Sequence, residues 1–373
     1  MRHPPRVDRR RNRRRERRVA GAAVRREVVT AGSIMLAEAR LACDAARPPG
    51  VQRQWGWPIA VYLFLAGMGA GAFVIGVAAW GSEAGRALTG AVEVAGVRVA
   101  ATGLLLMWGP VAAAVGALFL IVDLGRKARF FRAGRNVATS WMARGFFILS
   151  AFLVVGALVL AIAALVPTWP ERHPALWRAL LAAGTAAALG TAVYTGVLLR
   201  SMKYVPVWGG PLLPVLFLAS ALSTGSMAVV LAALPYGLLA GGDGGVPEIV
   251  HVLTAWERVF ILVEGGVLGA HLLLAARREA EGRAAVHMLV RGKLRLLFWL
   301  GIVGLGLVFP SILEALYESL PGAPALLAAA GGILLVGGFL LRLGVLASGW
   351  KQTPPLVRLL EARADPRVLR TGL

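Results

Sequence analysis

The sequence has little of what a soluble enzyme works with. Of its 373 residues 16% are charged and 58% hydrophobic, where an ordinary soluble domain carries roughly 25% charged and 45–50% apolar residues. Cysteine occurs once, at Cys43, which excludes a disulfide framework, a cysteine-ligated zinc site and an iron–sulfur cluster within the chain. Histidine occurs five times, at His3, His173, His251, His271 and His287. The two on one candidate helix, His251 and His271, stand roughly 30 Å apart at 1.5 Å per residue, so they cannot ligate one haem together. No Walker motif and no glycine-rich nucleotide loop with the required flanks is present. Acidic residues are scarce too: 19 Asp+Glu against 40 Lys+Arg leave a formal charge of +21.

What the chain has instead is long apolar runs. A membrane span needs about 20 mainly apolar residues to cross a hydrocarbon core of roughly 30 Å. Eight candidates emerge: Pro58–Trp80, Val99–Val122, Gly145–Val166, Leu176–Leu199, Leu212–Leu234, Val252–Ala275, Leu296–Tyr317 and Ala325–Leu346. They are rich in Ala, Leu and Gly and lack strict alternation, which argues against strands. Ten of the 11 tryptophans fall at or near span ends, as an aromatic belt requires, and only Trp108 lies well inside one.

Charge gives a direction. Arg126, Lys127, Arg129, Arg132, Arg135 and Arg144 follow the second span; Arg200 and Lys203 the fourth; Arg277, Arg278, Arg283, Arg291, Lys293 and Arg295 the sixth; and five basic residues the eighth. The odd-numbered connections are poor in Lys and Arg. By the positive-inside rule both termini and the even connections are cytoplasmic. Three regions are expected: a basic, solvated extension over 1–54, a transmembrane domain over 55–350, and a cytoplasmic tail over 351–373. The first 50 residues hold 14 Arg and five acids, a composition that suits an unstructured arm touching anionic lipid. Met35 is an alternative start, and no stretch there reads as an export signal. The positive charge is an orientation signal, and no nucleic-acid partner is expected.

Ionisable groups inside spans are costly and are functional candidates by default. Glu257, Glu264 and His271 recur every seven residues, nearly two turns, so they share one face of the sixth span. Such a row could relay protons, with Glu264 near the midplane. The plainer alternatives pair Glu257 with Arg258 at the interface and put His271 simply near a helix end. Arg342 either takes part or snorkels to the surface, and Glu314 reads as structural. Ser220, Ser223, Thr224 and Ser226 suit helix-to-helix or back-bonding hydroxyls. Gly67, Gly69, Gly71, Gly265 and Gly269 suit close helix approach.

Several strings then become recognisable in order: Trp55-Gly56-Trp57-Pro58 running into Tyr62-Leu-Phe-Leu-Ala-Gly67-Met-Gly-Ala-Gly71; Asp123-Leu-Gly-Arg126 with Arg129-Phe-Phe-Arg132; Ser140-Trp141-Met-Ala-Arg144-Gly145; Tyr194-Thr-Gly196-Val-Leu-Leu; Pro206-Val-Trp208; Pro211-Leu-Leu-Pro214; and Ser220-Ala-Leu-Ser223-Thr224-Gly225. The set, from Trp55 to Trp350, resembles the NrfD/PsrC family of polysulfide-reductase-type membrane subunits. The resemblance implies an all-α integral membrane protein with eight transmembrane helices in two four-helix bundles. It also implies a subunit without haem, iron–sulfur cluster or metal. Such a subunit binds a quinone or quinol, menaquinone or ubiquinone, and exchanges electrons with a ferredoxin-like iron–sulfur subunit serving a molybdopterin or multihaem catalytic subunit. Carried over position by position, the quinone site falls on Tyr194 and Asp123. Tyr62 stands where the polysulfide-reductase type has a histidine. All three fall toward the basic side, whereas several relatives serve catalytic subunits outside the cytoplasm, so the docking side stays open. Interfacial anchoring is the plainer reading of each tyrosine. The competing function is a proton- or ion-translocating transporter without redox chemistry, with Glu264 and Arg342 lining its path.

Overall fold

The computed structural model describes residues 55–87, 91–94, 97–123, 140–202, 205–239, 246–278, 280–320 and 323–349. The expected arm over 1–54, the basic segment after the second span and the tail from 351 lie outside the described residues. The described residues all belong to the compact unit Val51–Gln352.

Eight helices take the places of the eight apolar runs. The first span is Trp57–Gly81, started by Pro58, whose missing N–H costs nothing in a first turn. The second is Ala101–Asp123. The third, Trp141–Leu165, is capped by Ser140, whose side chain accepts from the Ala143 N–H at 3.3 Å. Then come Pro174–Arg200, Leu213–Leu239, Val246–Arg278, Leu297–Ser319 and Pro324–Ala347. Seven are long and apolar enough to cross a membrane, and the second contributes the shorter apolar stretch Leu105–Ile121. The chain is an all-α, multi-pass membrane protein. A two-stranded hairpin, β1 (Ala91–Val94) against β2 (Val97–Ala100), precedes the second span with Val94 opposite Val97. Alternating valines favour strand there, which is why the second helix starts at Ala101 rather than at Val99.

The first four spans form one ring of neighbours, first on second, second on third, third on fourth and fourth on first. The last four form a second ring, and the rings meet where the first span packs on the fifth. Glycine makes that seam. A Cβ on Gly71 would stand 1.7 Å from the Ala221 carbonyl oxygen, and one on Gly225 2.4 Å from the Ala72 nitrogen. Between helices in lipid, such backbone proximity supplies the packing that hydrophobicity cannot. Gly71→Val is expected to destabilise the chain by about 1–3 kcal/mol, the usual range for overpacking, read as a lowered unfolding midpoint in detergent. An unchanged midpoint would mean that the seam opens freely. Gly67 and Gly69 also face neighbouring helices, whereas Gly269 meets nothing within 4 Å. The expectation of close approach at Gly269 fails because that face points outward.

The seventh span and the tryptophans depart from expectation. Residues Leu297–Val308 of the seventh span form a π-helix before α-geometry resumes at Phe309, whose N–H reaches the Gly304 carbonyl five residues back. Glycines at 301, 304 and 306 weaken the α preference there, and Gly306 lets the eighth span approach at Gly337, whose Cβ would come within 2.2 Å of the Gly306 Cα. The aromatic belt is incomplete. Trp57, Trp141 and Trp299 are exposed, but Trp177 and Trp208 are buried, and mid-span Trp108 faces outward. Trp208 Nε1 donates to the Val345 carbonyl at 2.7 Å, and its ring lies 5.9 Å from Trp55. Arg278 donates to the Gly209 carbonyl at 3.3 Å. The connection after the fourth span thus ties together the start of the first and the ends of the sixth and eighth. This is the basic side.

Candidate functional site

Tyr62 and Tyr194 are brought together. Tyr62 lies early in the first span and Tyr194 late in the fourth, so antiparallel packing sets both toward the basic side. Both are buried, and Tyr194 is close enough to act electrostatically on Tyr62. These tyrosines are inside the bundle, so the anchoring alternative fails for both. Glycine explains how the ring of Tyr194 fits. A Cβ on Gly145 would overlap it, 1.6 Å from Cζ and 1.9 Å from Cε2, so the ring lies directly against the third span's backbone. Asp123 is the last residue of the second span, on the same side, and its side chain lies outside the described residues.

The polar row of the sixth span faces inward as its spacing predicts: Glu257, Glu264 and His271 are all buried. Glu264 lies beside Ser220 of the fifth span and within electrostatic reach of Arg342 of the eighth. Arg342 does not snorkel. It is 1% exposed and turned into the core. Its Nη1 donates to Ser220 Oγ and to the Gly338 carbonyl, its Nη2 to the Phe217 carbonyl at 3.4 Å, and its guanidinium sits 5.0 Å from the Phe217 ring. It also reaches the first bundle: a Cβ on Gly67 would stand 3.4 Å from Nη2. Gly67 is little more than one turn along the first span from Tyr62.

His271 is not merely near a helix end. It packs on the connection between the fourth and fifth spans, its Cε1 and Nδ1 each 3.0 Å from the Cβ position of Gly210, and it meets the Val207 backbone. The pairing of Glu257 with Arg258 does not form. Arg258 Nη2 instead meets Glu318 Oε1 at 2.5 Å, while Glu257 turns inward and accepts from Ser223 Oγ at 3.3 Å. Facing Glu257 is Glu314, a residue whose place in the sequence suggests a structural role. It is 2% exposed. The signal that could have singled it out is its position one turn before Glu318: the outer glutamate takes the surface cation, and the inner one is left deeper in the bundle. The hydroxyls divide as their types suggest, Thr224 bonding back to the Ser220 carbonyl at 2.6 Å while Ser220 and Ser223 bond across helices. Among the described residues no three His, Cys, Asp or Glu side chains cluster as metal ligands.

Comparison with known proteins gives the same frame. The family profile described as "Polysulphide reductase, NrfD" matches residues 49–354. The chain is 32% identical to protein NrfD of Escherichia coli over 319 residues, covering 79% of this chain and 94% of that one. It is 30% identical to the C subunit of polysulfide reductase from Wolinella succinogenes over 315 residues, with the same coverage of 79% and 94%. An NrfD homolog of Haemophilus influenzae is 27% identical over 277 residues, 69% of this chain and 82% of that one. The matched region contains every described helix, both tyrosines and the whole polar row, and the chain belongs to the NrfD/polysulfide reductase family of membrane subunits.

Proposed function

We propose that this chain is the quinone-binding membrane subunit of a respiratory oxidoreductase complex, exchanging electrons between the quinone pool and an iron–sulfur partner subunit. The observation that carries this reading is the convergence of Tyr62 and Tyr194 inside the first bundle. The donor set suits a quinone. Each phenol can donate one hydrogen bond to a carbonyl oxygen, and among the described residues neither hydroxyl is given to a protein acceptor. Apolar residues of the surrounding spans suit an isoprenoid tail. A bound quinone would supply two-electron, two-proton redox chemistry that this chain lacks. The chain's own residues hold and orient: Tyr194 is fixed by Gly145, Tyr62 stands opposite it, and Asp123 is placed at the same end to exchange protons with water.

The same reading puts the chain in a prokaryotic inner membrane with both termini cytoplasmic, beside a ferredoxin-like subunit and a molybdopterin or multihaem catalytic subunit. The basic connections support the orientation, and the name of the Wolinella relative, one component of a reductase, supports the partnership. Glu264 and His271 of the inward-facing row, with Arg342 facing Glu264 from the eighth span, would couple electron flow to proton movement.

Quinone titration of Tyr194→Phe and Asp123→Asn is the test. Each variant should raise the dissociation constant about tenfold, the equivalent of 1.4 kcal/mol. Parent-like binding in both would remove the site.

A further inference from the structure

Three carboxyl oxygens in the half of the second bundle away from the basic side are buried without a donor among the described residues. They are Glu257 Oε2 and both oxygens of Glu314. The two side chains come from the sixth and seventh spans, are 0% and 2% exposed, and meet within hydrogen-bonding range. The groups around them are few. From the fifth span comes Ser223, whose hydroxyl is already given to Glu257 Oε1 at 3.3 Å. From the sixth come Glu264, two turns deeper, and Arg258; from the seventh comes Glu318. Arg258 is held by Glu318 at 2.5 Å in a half-exposed pair, so the nearest guanidinium is already taken.

Ionised carboxylates only accept hydrogen bonds, so two of them cannot bond to each other. A proton between them changes that: the acid O–H donates to the neighbouring carboxylate, and two of the three orphaned oxygens, Glu257 Oε2 and one of Glu314, acquire a partner. We propose that Glu257 and Glu314 together bind one exchangeable proton, as a carboxylic acid–carboxylate pair, and that this pair is where a proton path along the sixth span opens to the side opposite Tyr62 and Tyr194. Glu264 lies roughly 10 Å from Glu257 along the helix axis. Ser220 and Ser223, one turn apart on the fifth span, stand beside Glu264 and Glu257 respectively. Arg342 links Glu264 to the first span at Gly67. In one passage the held proton leaves to water at the far side and a proton from the Glu264 end replaces it. Only O–H bonds break and form, and no electron moves through the pair. The path rests on the quinone reading; the proton-binding pair does not.

The test is infrared difference spectroscopy of the full chain in lipid vesicles, in H2O and in D2O. The parent should show a protonated-carboxyl C=O component with a deuterium shift. Glu257→Gln and Glu314→Gln should each lose that component, and Ser223→Ala should keep it at a shifted frequency. Survival of the component in both glutamine variants overturns the pair. So does its appearance only in buffer stripped of sodium and potassium, which would make this a cation site. Should the glutamine variants fail to insert, an unshifted band in Ser223→Ala overturns the assignment by itself. In the assembled complex, unchanged proton release per quinol in Glu314→Gln overturns the path. Failure of the quinone reading shows separately in Tyr194→Phe, which touches neither carboxyl.

Discussion

Arg342→Met should lower stability by about 3–5 kcal/mol, the usual cost of removing one partner from a buried charge pair. The substitution leaves the apolar stem's volume filled, so the loss is electrostatic. Glu264 would keep its buried carboxyl with no counter-charge beside it. Ser220 Oγ and the carbonyls of Phe217 and Gly338 would lose their shared donor, and the Phe217 ring its cation. The double variant Arg342→Met with Glu264→Gln should recover most of the loss, because it removes both charges at once. Unfolding midpoints in detergent for the parent, both singles and the double form the measurement. A single Arg342→Met variant as stable as the parent, or a double variant no better than the single, would show that the two groups do not act as a pair.

Gly145→Ala should cut quinol-dependent electron transfer roughly 100-fold, since a misplacement of about 1 Å at a reacting centre has that effect. The added methyl would occupy the space of the Tyr194 ring, 1.6 Å from Cζ. The third and fourth spans pack against each other, so the ring, the far end of a side chain, gives before the backbone does. The ring must therefore leave its place against the third span, where it stands in the parent. Pairing Gly145→Ala with Tyr194→Leu separates packing from chemistry: the smaller side chain should restore the unfolding midpoint but not the turnover. Wild-type turnover in Gly145→Ala would mean that the ring's position is immaterial to the reaction.

The spans and the inward face of the sixth helix were legible because each is periodic or compositional. Seven-residue spacing alone put Glu257, Glu264 and His271 on one face, and all three are buried together. Partnerships were not legible, because they depend on which helices become neighbours. Arg258 could have met Glu257 beside it in sequence, but it meets Glu318 from another span. Arg342 had an equally good route to the surface until Ser220 and the Phe217 carbonyl were placed beside it. The π-helical segment and the hairpin escaped because both are departures within apolar sequence, where glycine and valine carry weak and local signals. Tyr62 and Tyr194 were picked out through resemblance to a family. Their burial, which separates a site from an interfacial anchor, came only with the fold.

The route by which Arg342 reaches its place bears on how the protein is made. Glu264 belongs to the sixth span and Arg342 to the eighth, so during synthesis the carboxyl enters the bilayer while its counter-charge is still on the ribosome. The first span, although made first, keeps part of its surface uncovered until the eighth docks beside Gly67. A chain truncated before the last helix would hold an unmatched acid in the sixth span together with an uncovered face on the first, at Gly67.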